Sequence, residues 1–319
     1  MNGSSLEIRL RCARLAIMFA KPEEMENFLR HGRKLVPIEE SMQDGFYFGR
    51  LPLGGGAKGN EIDIADTCTV TRTTQDGAGQ RSIAFYITSA LKQGPQGMAE
   101  AATYLFAKYK PEYTVLFGIC AGIEHLPVGS IVFATKSIEY DAGKVGKDGA
   151  FHHDTPVAEA HFASIRLVDA FIGRAGEASQ RISDSPSIAA GSNPSFSHGT
   201  MVSCAAVRSD ASDLLLLRKN AIDRKMLALD MEAHAFFSAA RRCGVMALGV
   251  VKAVSDHGHD KSDENFELCF MNNASIGFSF LKHVFGSEQA SGKERRVLMG
   301  GEGGGGNKYP LKCYLDMAR

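Results

Sequence analysis

The sequence predicts an α/β protein of three layers, α/β/α, with helices on both faces of a central, mostly parallel but mixed β-sheet. Three observations carry that reading. Apolar runs of strand length recur along the chain, as at Leu15–Ala20, Thr114–Phe117 and Val245–Val254. They are uniformly apolar rather than alternating, the pattern of strands buried on both faces. Helix-forming stretches with their own start and stop residues lie between them, as βαβ units require.

Leu15–Ala20 predicts a first core strand, and Lys21-Pro22-Glu23-Glu24 opens a helix. Proline in a first turn followed by carboxylates suits the free N–H groups and the positive end of the dipole. Residues 54–80, with Gly54-Gly55-Gly56, Gly59, Gly77 and Gly79, read as a long hairpin loop or insertion. Arg81–Leu91 is strand-like, Gly94-Pro95-Gln96-Gly97 is a turn, and Met98–Tyr109 is an Ala-rich helix stopped at Lys110-Pro111. Thr114–Phe117 is a buried strand running into a glycine-bearing turn at Gly118–Gly122. Val128–Ala134 is a further strand leading to Tyr140–Gly143, a helix covers about 157–174, and 179–198 is a loop around a short strand at best. Gly199–Val202 resumes the sheet, Asp213–Arg218 begins a helix, Ala228–Cys243 is helical, Val245–Val254 is a strand and Phe266–Phe285 is the last helix. This divides the chain into an N-terminal extension at 1–12, one domain at 13–286 and a Gly-rich tail at 287–319 that is expected to be disordered.

Composition narrows the function classes. The 319 residues carry 36 Lys+Arg against 36 Asp+Glu, without the clustered basic excess that nucleic acid or an anionic membrane demands. No window offers the roughly eighteen uncharged apolar residues of a membrane-spanning helix. Seven cysteines, at 12, 68, 120, 204, 243, 269 and 313, are odd in number and never spaced CxxC. They read as buried free thiols in a reducing compartment, with no disulfide framework and no zinc site. No metal or cofactor is expected, and the protein is read as cytoplasmic. The cluster Arg9, Arg11 and Arg14 faintly suggests a transit peptide, but Glu7 interrupts it.

Ligands of open α/β sheets bind beyond the carboxyl ends of the strands. Three carboxylates stand near such ends: Glu24 after the first strand, Asp256 after Gly249–Val254, and Glu232 in Ala228–Ala235. Read singly, each has a plain structural role as a helix-terminal charge, an N-cap or a solvated helix residue. On a helix, Asp230 and Glu232 point in different directions. His257 and His259 flank Asp256 as loop residues over the pocket, His234 is a packed helix residue, and His152-His153 belongs to a surface loop.

Gly118-Ile119-Cys120-Ala121-Gly122, Val128–Val132, Ser203–Val207, Asp230-Met231-Glu232-Ala233-His234-Ala235 and Val254-Ser255-Asp256 occur in that order over about residues 14–285. In this order they resemble the landmarks of the nucleoside phosphorylase / uridine phosphorylase superfamily, on its 5′-methylthioadenosine/S-adenosylhomocysteine nucleosidase-like branch. The resemblance implies a nucleoside phosphorylase-like fold acting on a small-molecule nucleoside, in a homodimer or higher homo-oligomer. It implies that Glu232 bonds the ribose hydroxyls while Met231 packs on the sugar. Asp256, with Ser255 beside it, protonates purine N7, and Glu24 orients the attacking water. Val207 and Arg208 hold the base through backbone groups, and Cys120, Ala121 and Gly122 complete the pocket. Ser203-Cys204-Ala205 lacks the usual acidic residue of its element.

These roles fit the chemistry. Cleaving an N-glycosidic bond develops an oxocarbenium-like sugar while electron density moves into the base. An acid at the base contributes about 10²–10⁴-fold. A phosphorylase needs positive charge for its dianion, whereas this chain has Glu23 and Glu24 in the early loop and Leu116 and Ile119 at the positions where the family places arginine and serine. Lys21 is one possible substitute. Water is therefore favoured over phosphate. Phosphorolysis on the same fold and a non-catalytic nucleoside-binding or effector module are the alternatives.

Overall fold

The computed structural model describes residues 2–53, 73–75, 81–183, 195–206, 223–258 and 263–287. A helix, α1 (Asn2–Cys12), precedes the first strand, and Leu10 is fully buried in the core. All five residues of β1 (Leu15–Phe19) are buried, as befits a strand paired on both edges and covered on both faces. Lys21 is the extended N-cap of α2 (Pro22–Gly32), whose first turn holds Pro22, Glu23 and Glu24 as the start signal requires. The chain continues through β2 (Tyr47–Pro52), β3 (Thr73–Gln75), β4 (Arg81–Ser89), α3 (Pro95–Tyr109) and β5 (Tyr113–Gly122). Then come β6 (Ile131–Glu139), a hairpin of β7 (Gly143–Val145) and β8 (Phe151–His153), β9 (Val157–Glu159), α4 (Phe162–Ser183) and β10 (Phe196–Ser203). β11 (Met226–Asp230), α5 (Ala233–Cys243), β12 (Met246–Asp256) and α6 (Phe266–Ser287) follow.

The large sheet has the order β11-β10-β6-β12-β5-β1-β4-β2, with β3 on β4 and β9 on β6. It is mixed. β1 runs parallel to β4 and β5, β12 parallel to β5, and β10 parallel to β6 and β11. The remaining pairings are antiparallel. β11 also pairs with the end of β5 through Ala228–Gly122 and Leu229–Ala121, which closes β5, β12, β6, β10 and β11 into a ring. Gly122 permits that closure, since a Cβ there would lie 2.7 Å from Val254 Cγ1. The closed ring is a feature that the three-layer expectation did not contain.

Two cores lie against the sheet. α3 and α5 bury Met98, Phe106, Phe236 and Phe237 in one. α2, α4 and α6 bury Phe28, Phe171, Phe278 and Phe280 in the other, where Phe28 stacks on Phe117 at 5.2 Å between ring centroids. Among the described residues, no helix is long and apolar enough to cross a membrane.

Three segments depart from the sequence reading. The stretch Ala228–Cys243 is not one helix: Met226–Asp230 is a strand and the helix begins at Ala233. A short apolar strand and a buried helix turn share the same hydrophobic pattern, and the sheet claimed this one. Gly118–Gly122 is not a turn but the second half of β5, with Gly118 at φ 150°. The helix expected over 157–174 starts at Phe162, because Val157–Glu159 pairs with β6, and it runs on to Ser183, into the 179–198 stretch that reads as a loop. Most of the 54–80 insertion, the Asp213–Arg218 helix and the Gly-rich tail from residue 288 onward lie outside the described residues.

Candidate active site

β5 and β12 run parallel with Gly118 opposite Lys252 and Cys120 opposite Val254. Their carboxyl ends open into a cleft of about 210 Å³ lined by Glu24, Cys120, Ala121, Met231, Glu232, Ser255 and Asp256. Seven of the ten residues expected at the site therefore share one wall system. Gly122 stands behind it, packed on Val254. Val207 and Arg208 lie outside the described residues.

Glu232 stands at the N-cap of α5, two residues beyond the end of β11, rather than within a helix. Strand end and helix cap turn Asp230 and Glu232 toward one point instead of apart. That point is Lys252, 1% exposed in the middle of β12, whose Nζ lies 2.9 Å from Asp230 Oδ2 and 3.1 Å from Glu232 Oε2. Burial alone would lower the Lys252 amine, but Asp230, Glu232 and Glu24 together hold it above the usual lysine range. Glu232 Oε1 accepts from the Gly94 backbone N–H at 2.9 Å. Each carboxylate oxygen has two lone-pair directions, so both keep capacity for a further donor.

Asp230 is the anchor of this group. It accepts from Ser203 Oγ at 2.7 Å and from Ala233 N at 2.9 Å. Ser203 also bonds Ser137 Oγ at 3.0 Å and accepts from His234 N at 3.0 Å. The element that lacks an acidic residue thus places its serine in support of Asp230, while Cys204 and Ala206 line the cleft.

Glu24 is 5% exposed, and its Oε2 is buried without a hydrogen-bond partner. It lies directly on Gly118, where an added Cβ would stand 2.4 Å from that oxygen. Burial pushes the Glu24 carboxyl up to about 7; Lys252 and Lys21 oppose the shift, and Glu232 and Asp230 add to it. One lysine thus faces three carboxylates, two of which it pairs. The third is left to take or release a proton near neutrality, the separation by environment that assigns acid–base roles.

Asp256 is half-buried at the end of β12. Its Oδ2 accepts from Ser255 Oγ at 2.7 Å and its Oδ1 from Gly258 N at 2.8 Å. Ser255 Oγ also lies 3.2 Å from the Cys120 carbonyl. His257 turns away to the Leu126 carbonyl at 3.0 Å, His234 lies 3.5 Å from Glu139, and His153 stacks on Tyr140 at 4.3 Å. His259 lies outside the described residues.

The sequence reading missed Lys252. The available signal was an ammonium group in the run Gly249-Val250-Val251-Lys252-Ala253-Val254. A strand covered on both faces holds a charge only with a partner close by.

Comparison with known proteins bears on the family and the fold. The family model described as the phosphorylase superfamily matches residues 14–285. The ATP nucleosidase Cap17 of Escherichia coli is 25% identical over 215 residues, covering 62% of this chain and 41% of that protein. The chain thus spans less than half the length of this relative. Among solved structures, the fold matches 5′-methylthioadenosine/S-adenosylhomocysteine nucleosidase from Neisseria meningitidis with a TM-score of 0.55 at 17% identity, covering 86% of this chain and 98% of that one. It also matches futalosine hydrolase of Helicobacter pylori with a TM-score of 0.56 at 15% identity, again over 86% and 98%.

Proposed function

The chain belongs to the phosphorylase superfamily, and on that premise we propose that its cleft hydrolyses the N-glycosidic bond of a purine nucleoside or of a 5′-substituted adenosine. The observation that carries the reading is Glu24: a buried carboxylate without a partner on Oε2, pushed up to about 7, in the same cleft as Glu232 and Asp256. Such a group is suited to accept a proton from water at neutral pH.

In this reading the water oxygen bonds to C1′ as the bond from C1′ to the purine breaks, and Glu24 takes the water proton. The electron pair leaves with the base, which Asp256 protonates at N7. Glu232 holds the ribose hydroxyls as the sugar becomes cationic. The products are free base and ribose bearing its 5′ group.

The cleft favours water over phosphate. Among its described lining residues the cations are Lys21 and Lys252, and Lys252 is already paired with two carboxylates. Leu116 is fully buried and Ile119 lines the wall without charge. Incubation with adenosine, inosine, guanosine, 5′-methylthioadenosine, S-adenosylhomocysteine and ATP, with and without phosphate, tests the reading. ATP belongs in the panel because the curated relative is an ATP nucleosidase. Base release without phosphate supports the proposal, and no release from any of them defeats it. The expectation of a homo-oligomer is carried with this reading and is checked by sizing chromatography.

A further inference from the structure

α6 reaches the seam between β5 and β12, behind Glu24, through a buried side chain. The helix comes close to β5 at Gly277, where an added Cβ would meet the Phe117 ring at 2.8 Å. One turn earlier on the same helix face, Asn273 is fully buried, and its Nδ2 donates to the Gly118 carbonyl at 3.1 Å and the Val251 carbonyl at 2.9 Å. Those carbonyls lie on neighbouring strands where Gly118 pairs with Lys252. Gly118 has φ 150°, a conformation open to glycine but rarely adopted by a residue with a Cβ. Its missing Cβ is the space that the Glu24 carboxylate occupies. The Asn273 amide oxygen is itself buried without a partner, a destabilising feature, so the two donated bonds are what the side chain contributes.

We propose that Asn273 is a positioning residue for Glu24: by tying Gly118 to Val251 it keeps β5 in the conformation that leaves a seat for the Glu24 carboxylate. The inference rests on the proton-accepting role assigned to Glu24, but its test reads the carboxyl directly. The charged groups that bear on Glu24 are Lys252 from β12, Glu232 and Asp230 from the opposite wall, and Lys21 from the head of its own helix.

The experiment is carboxyl ¹³C NMR of glutamate-labelled protein across a pH series, with the Glu24 signal identified by its loss in Glu24→Gln. In the wild type it should titrate at about 7. Asn273→Leu keeps the branched heavy-atom shape and donates nothing, so the seat is released and the midpoint should fall toward the ordinary value of 4.5. Asn273→Ser, retaining one donor, should fall between. The control is Asn272→Leu, which removes an equally buried amide bonded to the Gly129 carbonyl at 2.9 Å. It should lower the melting temperature without moving the midpoint. For base release, kcat/KM of Asn273→Leu should drop about 10²-fold, mostly in kcat, as a misplaced reacting group would give. An unmoved midpoint in either folded Asn273 variant overturns the proposal, as does an equal shift in Asn272→Leu. If the midpoints move as stated while the wild type releases no base, the positioning role is supported and the proposed reaction falls.

Discussion

The carboxylate of Glu24 rests against the Cα of Gly118, with no room between them for a methyl group: a Cβ on the glycine would lie 2.4 Å from Oε2. Here α2 and β5 are fitted closely to each other. Gly118→Ala must either displace Glu24 or force β5 to shift, and it also places a side chain at φ 150°. The strain alone is worth about 1–3 kcal/mol. Thermal melting should show that loss, and kcat/KM should fall by about 10²-fold. An alanine variant with unaltered turnover would mean that Glu24 does no chemistry.

The protonation of Glu24 also makes stability depend on pH. In the folded chain its carboxyl titrates at about 7, against 4.5 for a free glutamate. Between those values the folded state keeps a proton that the unfolded state has released, so stability falls as pH rises. Above 7 the full penalty is present, up to ~3 kcal/mol at about 1.4 kcal/mol per unit. Glu24→Gln removes it. The variant should melt higher than the wild type at about pH 8, with the gap narrowing toward about pH 5. It should also be almost inactive, because an amide cannot accept the water proton.

Lys252→Met should show what the buried cation holds together. It strands Asp230 and Glu232, 2.9 and 3.1 Å from the lost ammonium, without a counter-charge. Breaking a buried pair in this way costs about 3–5 kcal/mol. Because Lys252 also opposes the upward shift of Glu24, the acid limb of the kcat/KM profile should move to higher pH in any variant that stays folded. Lys252→Arg, keeping the charge, should return the limb toward its original place. Stopped-assay pH profiles of both variants, alongside their melting curves, measure this.

Glu24 and Asp256 were legible in the sequence because each follows closely on an apolar strand, where an α/β sheet gathers its ligands; Glu232 was picked out by the landmark Asp230–Ala235, inside a stretch that reads as helix. What could not be read there is the way they meet. Assigning Ala228–Cys243 to one helix sends Asp230 and Glu232 in different directions; the strand Met226–Asp230 followed by a cap at Glu232 brings both to Lys252. The same misassignment hides the ring, since β11 is the strand that closes it onto β5. Lys252 itself passed as one polar letter in an apolar run. The seat at Gly118 depends on a backbone angle and a contact about a hundred residues apart in sequence, which no local pattern encodes.

Asp256→Asn separates binding from chemistry. The amide keeps the shape: its oxygen can accept from Gly258 N, 2.8 Å from the native Oδ1, while its NH2 can donate to Ser255 Oγ, 2.7 Å from the native Oδ2, once that hydroxyl gives its proton to the Cys120 carbonyl. It has no carboxyl proton to give to the base. Base release should drop by about 10²–10⁴-fold, the usual worth of a general acid. Affinity for a substrate analogue, measured by calorimetry, should stay within a few-fold of wild type. Turnover near the wild-type rate would remove the proton-donor assignment.

The nucleophile is decided by charge. A phosphate dianion in this cleft would face Glu24 and would find Lys252 already held by Asp230 and Glu232, leaving Lys21 as its one unpaired cation among the described lining residues. Water needs no such partner; it needs a base, and the Glu24 carboxyl at about 7 is half-ionised at neutral pH. Base release should therefore proceed in phosphate-free buffer, give ribose or its 5′-derivative, and gain nothing from added millimolar phosphate. Lys21→Met should leave the hydrolytic rate within about threefold, since a half-exposed lysine at a helix N-cap contributes little to a neutral nucleophile. Strict phosphate dependence with ribose 1-phosphate as product would reverse the assignment. Lys21→Met would then be expected to abolish turnover, and the role of Glu24 as acceptor of the water proton would be withdrawn.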